Sequence, residues 1–284
     1  MLLAPRLLTA GVKQPTALPM EEVVSEFVLK GRGGDQITDW RAWTRPKKDY
    51  QWRAGRSAME LARAWFVSPM PLCPREIADL LATHPRAAGL TLFEGIPEHV
   101  TPLPERGEGR NHDLLLEGRG PSGSVVISVE AKVDESFGET IGGYWNMGRQ
   151  SVTPTRAPER IEALLSMVFG PAARPDADPW RELRYQLLTA VAGTAVEATL
   201  RRAHTAVVIV HEFRTEDVDA QNVAVNAEDF QVFVGVLLDL PASEVVHGRL
   251  YGPAVLASSS HLARGVDLFI GKAVFDWQAS NGAA

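Results

Sequence analysis

Apolar and polar positions along this chain repeat with two different periods, and the switches between them outline its elements. Residues 1 to about 20 carry Pro5, Pro15 and Pro19 without a clear period and read as a loose arm. Met20 to Leu29 reads as a short amphipathic helix, stopped by Gly31-Arg32-Gly33-Gly34. A regular region opens at Ser57. Ser57-Ala58-Met59-Glu60 has the S-x-x-E form of a capping box, and Leu61, Ala62, Trp65 and Phe66 follow at helical spacing. Ile77, Leu80 and Leu81 mark a second helix from about Pro74 to Ala82.

After Pro85 the pattern changes to strands. Leu90-Thr91-Leu92-Phe93 is the first, and Asp113 to Glu117, with Leu114, Leu115 and Leu116 in a row, is the second. The turn formers Gly118 to Ser124 lead into Val125 to Val133, the clearest strand in the chain, so these two runs predict an antiparallel hairpin. Helical spacing returns from Arg160 to Phe169. Asp178-Pro179 then supplies an N-cap and first-turn proline for a helix reaching about Ala203, its stripe being Leu183, Leu187, Val191, Thr194 and Ala198. Ala206 to Phe213 reads as a buried strand, Ala227 to Leu240 as a helix, and Gly248 to Leu256 as the last strand. That order describes an α/β domain with a mixed sheet flanked by helices. No repeat or low-complexity linker divides it.

Composition narrows the class. The 284 residues are 45% hydrophobic and 23% charged, the balance of a soluble globular protein. A formal net charge of −6 excludes a generally basic coat for nucleic acid, whose binding rests on surplus Lys and Arg. Residues 41 to 56 run against that average: Arg41, Arg45, Lys47, Lys48, Arg53 and Arg56 face only Asp49, interleaved with Trp40, Trp43 and Trp52. Such a segment suits bases and phosphates; the competing reading packs the tryptophans under the first helix and leaves the charges solvated. Cys73, the single cysteine, excludes disulfide scaffolds and zinc ribbons and points to a reducing cytoplasm. Pro5 and Arg6 interrupt the apolar start too early for a secretory signal, and no window is apolar enough to span a membrane.

The chemistry concentrates on one strand. Val125, Ile127, Val129, Ala131 and Val133 share one face, leaving Val126, Ser128, Glu130 and Lys132 on the other. Neighbouring opposite charges on a buried strand are costly unless paired or used. In a hairpin, Asp113 and Glu130 converge at one end of the sheet, where two carboxylates beside a lysine suit a hard cation such as Mg²⁺. An ion-pair cluster at a strand end is the bland alternative.

Asp113, the turn-bearing spacer and Glu130-Ala131-Lys132 on a hydrophobic strand resemble the PD-(D/E)XK, or restriction-endonuclease-like, nuclease superfamily. The likeness extends from Ser57 to Leu256 through Glu60 on a preceding helix and Arg184-Tyr185-Gln186-Leu187 on a following one, with His112 where the name-giving proline would stand. The resemblance implies a restriction-endonuclease-like central mixed β-sheet flanked by helices, with N-terminal helical elaboration. Residues 1–50 would form an arm and short helix and residues 51–284 a single domain. It also implies Mg²⁺-dependent (or Mn²⁺-dependent) hydrolysis of nucleic acid, DNA first. Asp113 and Glu130, with the Ala131 carbonyl, would hold the metal and Lys132 would orient or activate water. Glu60 would serve a second metal or a water, and Gln186 would fix the ligands by hydrogen bonding. Capping alone also explains Glu60, and an exposed helix position explains Gln186. Asp134 and Glu135 read as caps for the next turn. A soluble cytoplasmic protein without a membrane partner follows, and a homo-oligomer is compatible with it. The alternatives are a non-catalytic fold that binds nucleic acid or protein, and a hydrolase for another substrate.

Other constellations fail on spacing. His204 and His211 fall on opposite faces of one strand, and His211-Glu212 lacks the second histidine of a zinc-protease helix. Ser258-Ser259-Ser260-His261 lacks a nucleophile elbow, and Gly31 to Gly34 lacks the Lys-Ser/Thr of a phosphate loop.

Overall fold

Eight strands form one mixed sheet in the computed structural model, which describes residues 27–105, 107–256, 262 and 266–276. The expected arm, residues 20–26 of the expected first helix, and Ser258 to His261 lie outside the described residues. In chain order the strands are β1 (Val28–Lys30), β2 (Gln36–Ile37), β3 (Thr91–Thr101), β4 (Arg110–Gly120), β5 (Gly123–Lys132), β6 (Thr205–Arg214), β7 (Leu250–Leu256) and β8 (Val266–Asp276). The helices are α1 (Ser57–Trp65), α2 (Arg75–Ala82), α3 (Ile141–Gln150), α4 (Ala157–Phe169), α5 (Tyr185–Leu200) and α6 (Ala220–Leu238). Spatial order is β2-β1-β3-β4-β5-β6-β8-β7, with β3, β4 and β5 antiparallel and β5, β6 and β8 parallel.

Each face of the sheet carries its own core. Val125, Ile127, Val129 and Ala131 of β5 meet Leu61, Ala62 and Trp65 of α1, while Ile77, Leu80 and Leu81 of α2 extend that core. Leu115, Val126, Val208 and Ile270 point the other way, into α3 to α6. The alternation on β5 therefore sorts its side chains as the sequence predicts, and the helices cover both faces.

Several expectations change. Val28 and Leu29 belong to a strand, not a helix. Gly31 donates to Asp35 and Gly34 to Gly31, closing a hairpin between β1 and β2, with Gly34 at φ +87°. The segment before residue 51 thus adds strands to the sheet where helical elaboration was expected. The capping box does not form. Ser57 Oγ donates to Glu135 Oε1 at 3.1 Å, and Glu60 Oε1 accepts from Gly55 N at 2.8 Å. Asp178-Pro179 precedes a single turn, and α5 begins only at Tyr185. Its middle, Leu187 to Ala198, is buried all round rather than along one stripe. Small residues there let the helix lie close on the sheet, so its periodicity is faint.

Helix α3 was not anticipated, and Gly248 to Leu256 does not end the sheet. Strand β8 follows and inserts between β6 and β7. Among the described residues no helix is long and apolar enough to cross a membrane.

Candidate active site

The β4–β5 ladder fixes the key residues. It runs from Gly120↔Gly123 to Leu114↔Val129, one step short of Asp113 and Glu130, and Ala131 N then donates to Asp113 Oδ2 at 2.8 Å. Glu130 and Lys132 are buried, on the face covered by α5. The start of α5 is tied to the chain after β5: Tyr185 N donates to Glu139 O at 3.0 Å, and the Arg184 guanidinium donates to Gly138 O at 2.9 Å. This anchoring turns Gln186 inward. Its Nε2 donates to Glu130 Oε1 at 2.5 Å, and its Oε1 accepts from Lys132 Nζ at 3.1 Å. Lys132 Nζ also reaches Glu130 Oε1 at 2.8 Å and stands 5.1 Å from the Phe137 ring centroid.

Asp113, Glu130, Lys132 and Gln186 therefore meet, as the sequence expected. Glu60 does not join them. It lines a neighbouring cavity and is engaged by Gly55 N and by Arg63 Nη1 at 3.1 Å, a local helix-start role. Asp134 and Glu135 tie the exit of β5 to its surroundings. Glu135 accepts from Val133 N and Ser57, while Asp134 pairs with Arg56 and accepts from Asp219 N ahead of α6.

Arg110 is the residue that sequence reasoning missed. Its guanidinium is buried and pairs with Glu130 Oε2, so both oxygens of Glu130 are engaged. Its position three residues before Asp113, at the start of β4, was the available signal. Glu98 was missed too: it sits on β3 at φ +55°, buried, and accepts from Asn111 Nδ2 at 2.6 Å.

Burial and charge set the protonation of these acids. Burial raises Glu130, but the Arg110 and Lys132 charges outweigh it and hold the carboxyl below its ordinary range. Asp113 goes the other way. Burial and the adjacent Glu130 charge push it up to about 8, against the pull of Lys132 and Arg110. Burial also raises Glu98, with the Asn111 hydrogen bond opposing and Glu130 adding to the rise.

Asp113 gives a stability test. The folded chain keeps a proton that the unfolded chain releases near pH 4, so stability falls as pH rises from about 4 to about 8 and levels off above it. Asp113→Asn removes that slope. Its melting temperature should exceed wild type by about 4 °C or more at pH 8, converging near pH 4. Melting curves that stay parallel across that range would contradict a raised Asp113.

These residues open onto a cavity of about 640 Å³. Its lining includes Glu98, Asn111, Asp113, Glu130 and Lys132 together with Lys47, Lys48, Tyr50, Arg53 and Arg56, and Lys47 pairs with Glu108, which also lines it. Four of the six basic residues of that run, Lys47, Lys48, Arg53 and Arg56, thus line the same space as the charged strand. The tryptophans do not. Trp43 is buried and Trp40 and Trp52 pack half-buried against the α1-side core, with Arg41 and Arg63 over Trp40. Tyr50 is the exposed ring here, at 65% exposure.

Among the described residues no three His, Cys, Asp or Glu side chains are grouped to hold a metal ion. His204 is exposed while His211 is buried with Nε2 2.7 Å from Glu76 Oε1, so they form no pair. His112 is buried against Thr101 Oγ1, and burial, reinforced by Arg110, keeps it neutral.

Residues 34–276 match a family profile described as a domain of unknown function, DUF6946. This chain belongs to the DUF6946 family. No curated protein and no solved structure matches it. The DUF6946 match runs from just before β2 to the end of β8 and contains every residue lining the cavity, so its basic and acidic residues belong to one family domain.

Proposed function

We propose that this DUF6946 chain has a restriction-endonuclease-like fold and is a Mg²⁺-dependent nuclease that hydrolyses phosphodiester bonds of nucleic acid, DNA first. One observation carries the reading. Asp113, Glu130 and Lys132 from two paired strands, and Gln186 from α5, line one cavity together with Lys47, Lys48, Arg53 and Arg56. Cations suited to phosphates thereby share a cavity with a cluster suited to hydrolytic chemistry.

The donor set suits Mg²⁺, which is commonly held by one or two carboxylates with waters and substrate phosphates completing the shell. Asp113 and Glu130 would hold it, with Mn²⁺ as a substitute. Burial and Glu130 raise Asp113 against the pull of Lys132 and Arg110, and a cation would add to that pull. The chemistry such an ion provides is polarisation of a phosphoryl oxygen and a lowered pKa for bound water. The chain's own groups do the remainder. Lys132, held by Glu130 and Gln186, presents an ammonium to charge developing on the phosphate and orients the attacking water. Gln186 keeps Glu130 and Lys132 in one geometry. Lys47, Lys48, Arg53 and Arg56 meet the backbone phosphates, and the exposed Tyr50 offers a face to a base.

A second reading, a non-catalytic module that binds nucleic acid or protein, draws on the occupied oxygens of Glu130. Cleavage assays separate the two. Plasmid, single-stranded and duplex DNA and RNA should be nicked or cut in Mg²⁺ and left intact in EDTA. No cleavage of any of them, with no heat of Mg²⁺ or Mn²⁺ binding at millimolar concentration, would leave the binding module standing.

A further inference from the structure

Glu130 is hydrogen-bonded at both oxygens before any ligand arrives. Lys132 Nζ and Gln186 Nε2 engage Oε1 at 2.8 and 2.5 Å, and the Arg110 guanidinium engages Oε2. A divalent ion shared by Asp113 and Glu130 needs an oxygen from each. On Glu130 the oxygen that carries a single partner is Oε2, and its partner is Arg110.

The geometry points to Arg110 as a built-in counter-cation that occupies the ion's position on Glu130, so that loading the site means displacing its guanidinium. The inference rests on the metal-site reading above and names the residue that sets that site's affinity.

Three observations support it. Arg110 is the positive charge common to three acids of the cavity: it acts on Glu98, Asp113 and Glu130 together, as a bound ion would. Its seat is shaped for it. Gly193 of α5 faces its stem, and a Cβ at that position would lie 2.8 Å from Arg110 Cγ and 2.9 Å from its Cβ. Its hold on the carboxylate is nevertheless incomplete. Nη2 meets Glu130, while Nε is buried without a hydrogen-bond partner among the described residues. A guanidinium bound through both arms of its fork is the stronger arrangement, with two parallel N–H···O bonds. Arg110 therefore neutralises Glu130 in the resting protein but yields to a doubly charged ion. This arrangement spares the chain an uncompensated buried carboxylate when no metal is present, which is strongly destabilising.

Metal binding reads this directly, without any activity assay. Mn²⁺ titrations followed by the electron paramagnetic resonance of the free ion would compare the full chain with Arg110→Met, Arg110→Lys and Glu130→Gln, each checked for folding by circular dichroism. Arg110→Met, which keeps an unbranched stem over Gly193, should bind about ten- to hundredfold more tightly than wild type, the worth of one hydrogen bond to a charged group. Arg110→Lys should stay closer to wild type, and Glu130→Gln should lose binding. Equal or weaker Mn²⁺ binding by folded Arg110→Met overturns the inference and leaves the metal site intact. No binding by wild type or by Arg110→Met at millimolar Mn²⁺ overturns the metal site and the inference with it.

A measurement on the wild-type chain covers the case in which Arg110→Met fails to fold. The buried Nε–H of Arg110 should give a protected side-chain resonance, assigned by its absence in Arg110→Lys. Saturating Mg²⁺ should shift or broaden it. A resonance unmoved by saturating Mg²⁺ counts against displacement.

Discussion

Glu130→Gln is expected to lower folding stability by about 3–5 kcal/mol, the usual cost of removing one partner from a buried ionic cluster. The substitution preserves shape, but an amide offers one acceptor oxygen where the carboxylate accepts through both, so the loss combines the missing charge with a donor left facing an NH2 group. Glu130, Arg110 and Lys132 have side-chain exposures of 3%, 9% and 7%, leaving the two cations little water once their counter-charge is gone. Gln186 cannot compensate, being neutral. The urea midpoint should fall while the slope stays constant, because the surface exposed on unfolding is unchanged. Removing the charges together should cost much less, since a buried ionic cluster replaced by apolar groups is often neutral in stability. A midpoint for Glu130→Gln equal to wild type would mean that these groups do not depend on one another in solution.

The second large effect concerns catalysis. Lys132→Met should reduce single-turnover DNA cleavage by about 10²–10⁴-fold, the range found when a positioned acid–base group or a donor to developing charge is removed. Lys132 is the better probe of chemistry than Glu130, because Glu130 keeps Arg110 and Gln186 when the lysine is lost. Melting of Lys132→Met should therefore move less than that of Glu130→Gln. Residual Mg²⁺ binding with lost cleavage would assign Lys132 to the reaction and not to ion binding. Cleavage unchanged in both Lys132→Met and Glu130→Ala would remove this cavity from consideration as the active site.

Particular residues show how far the sequence was legible. The alternation from Val125 to Val133 and the turn-rich spacer before it predicted both the hairpin and the two faces of β5, because strand side chains must alternate and one face had to be apolar. Asp113, Glu130 and Lys132 followed from that periodicity. Gln186 was found through a resemblance, and its approach to Lys132 depends on the anchoring of α5 by Gly138 and Glu139. Glu60 was misassigned because a capping-box pattern and a ligand role draw on the same residue, and the carboxylate turned to Gly55 and Arg63 instead. Arg110 offered only its place three residues before Asp113, and Glu98 had no local signature. An arginine at a strand start is unremarkable until the partner strand brings a buried glutamate to it.

The sequence by itself determined the class of fold, the charged strand and the separate basic run from Arg41 to Arg56. Those depend on period and composition, which are local properties. Tertiary structure alone decided that Lys47, Lys48, Arg53 and Arg56 share one cavity with the charged strand and that Arg110 pairs with Glu130. It also decided that Asp113 is raised by burial and the Glu130 charge while Arg110 and Lys132 lower Glu130. The physical reason is the same in each case. Burial and charge pairing are sums over neighbours from distant parts of the chain, and no window of sequence contains those neighbours.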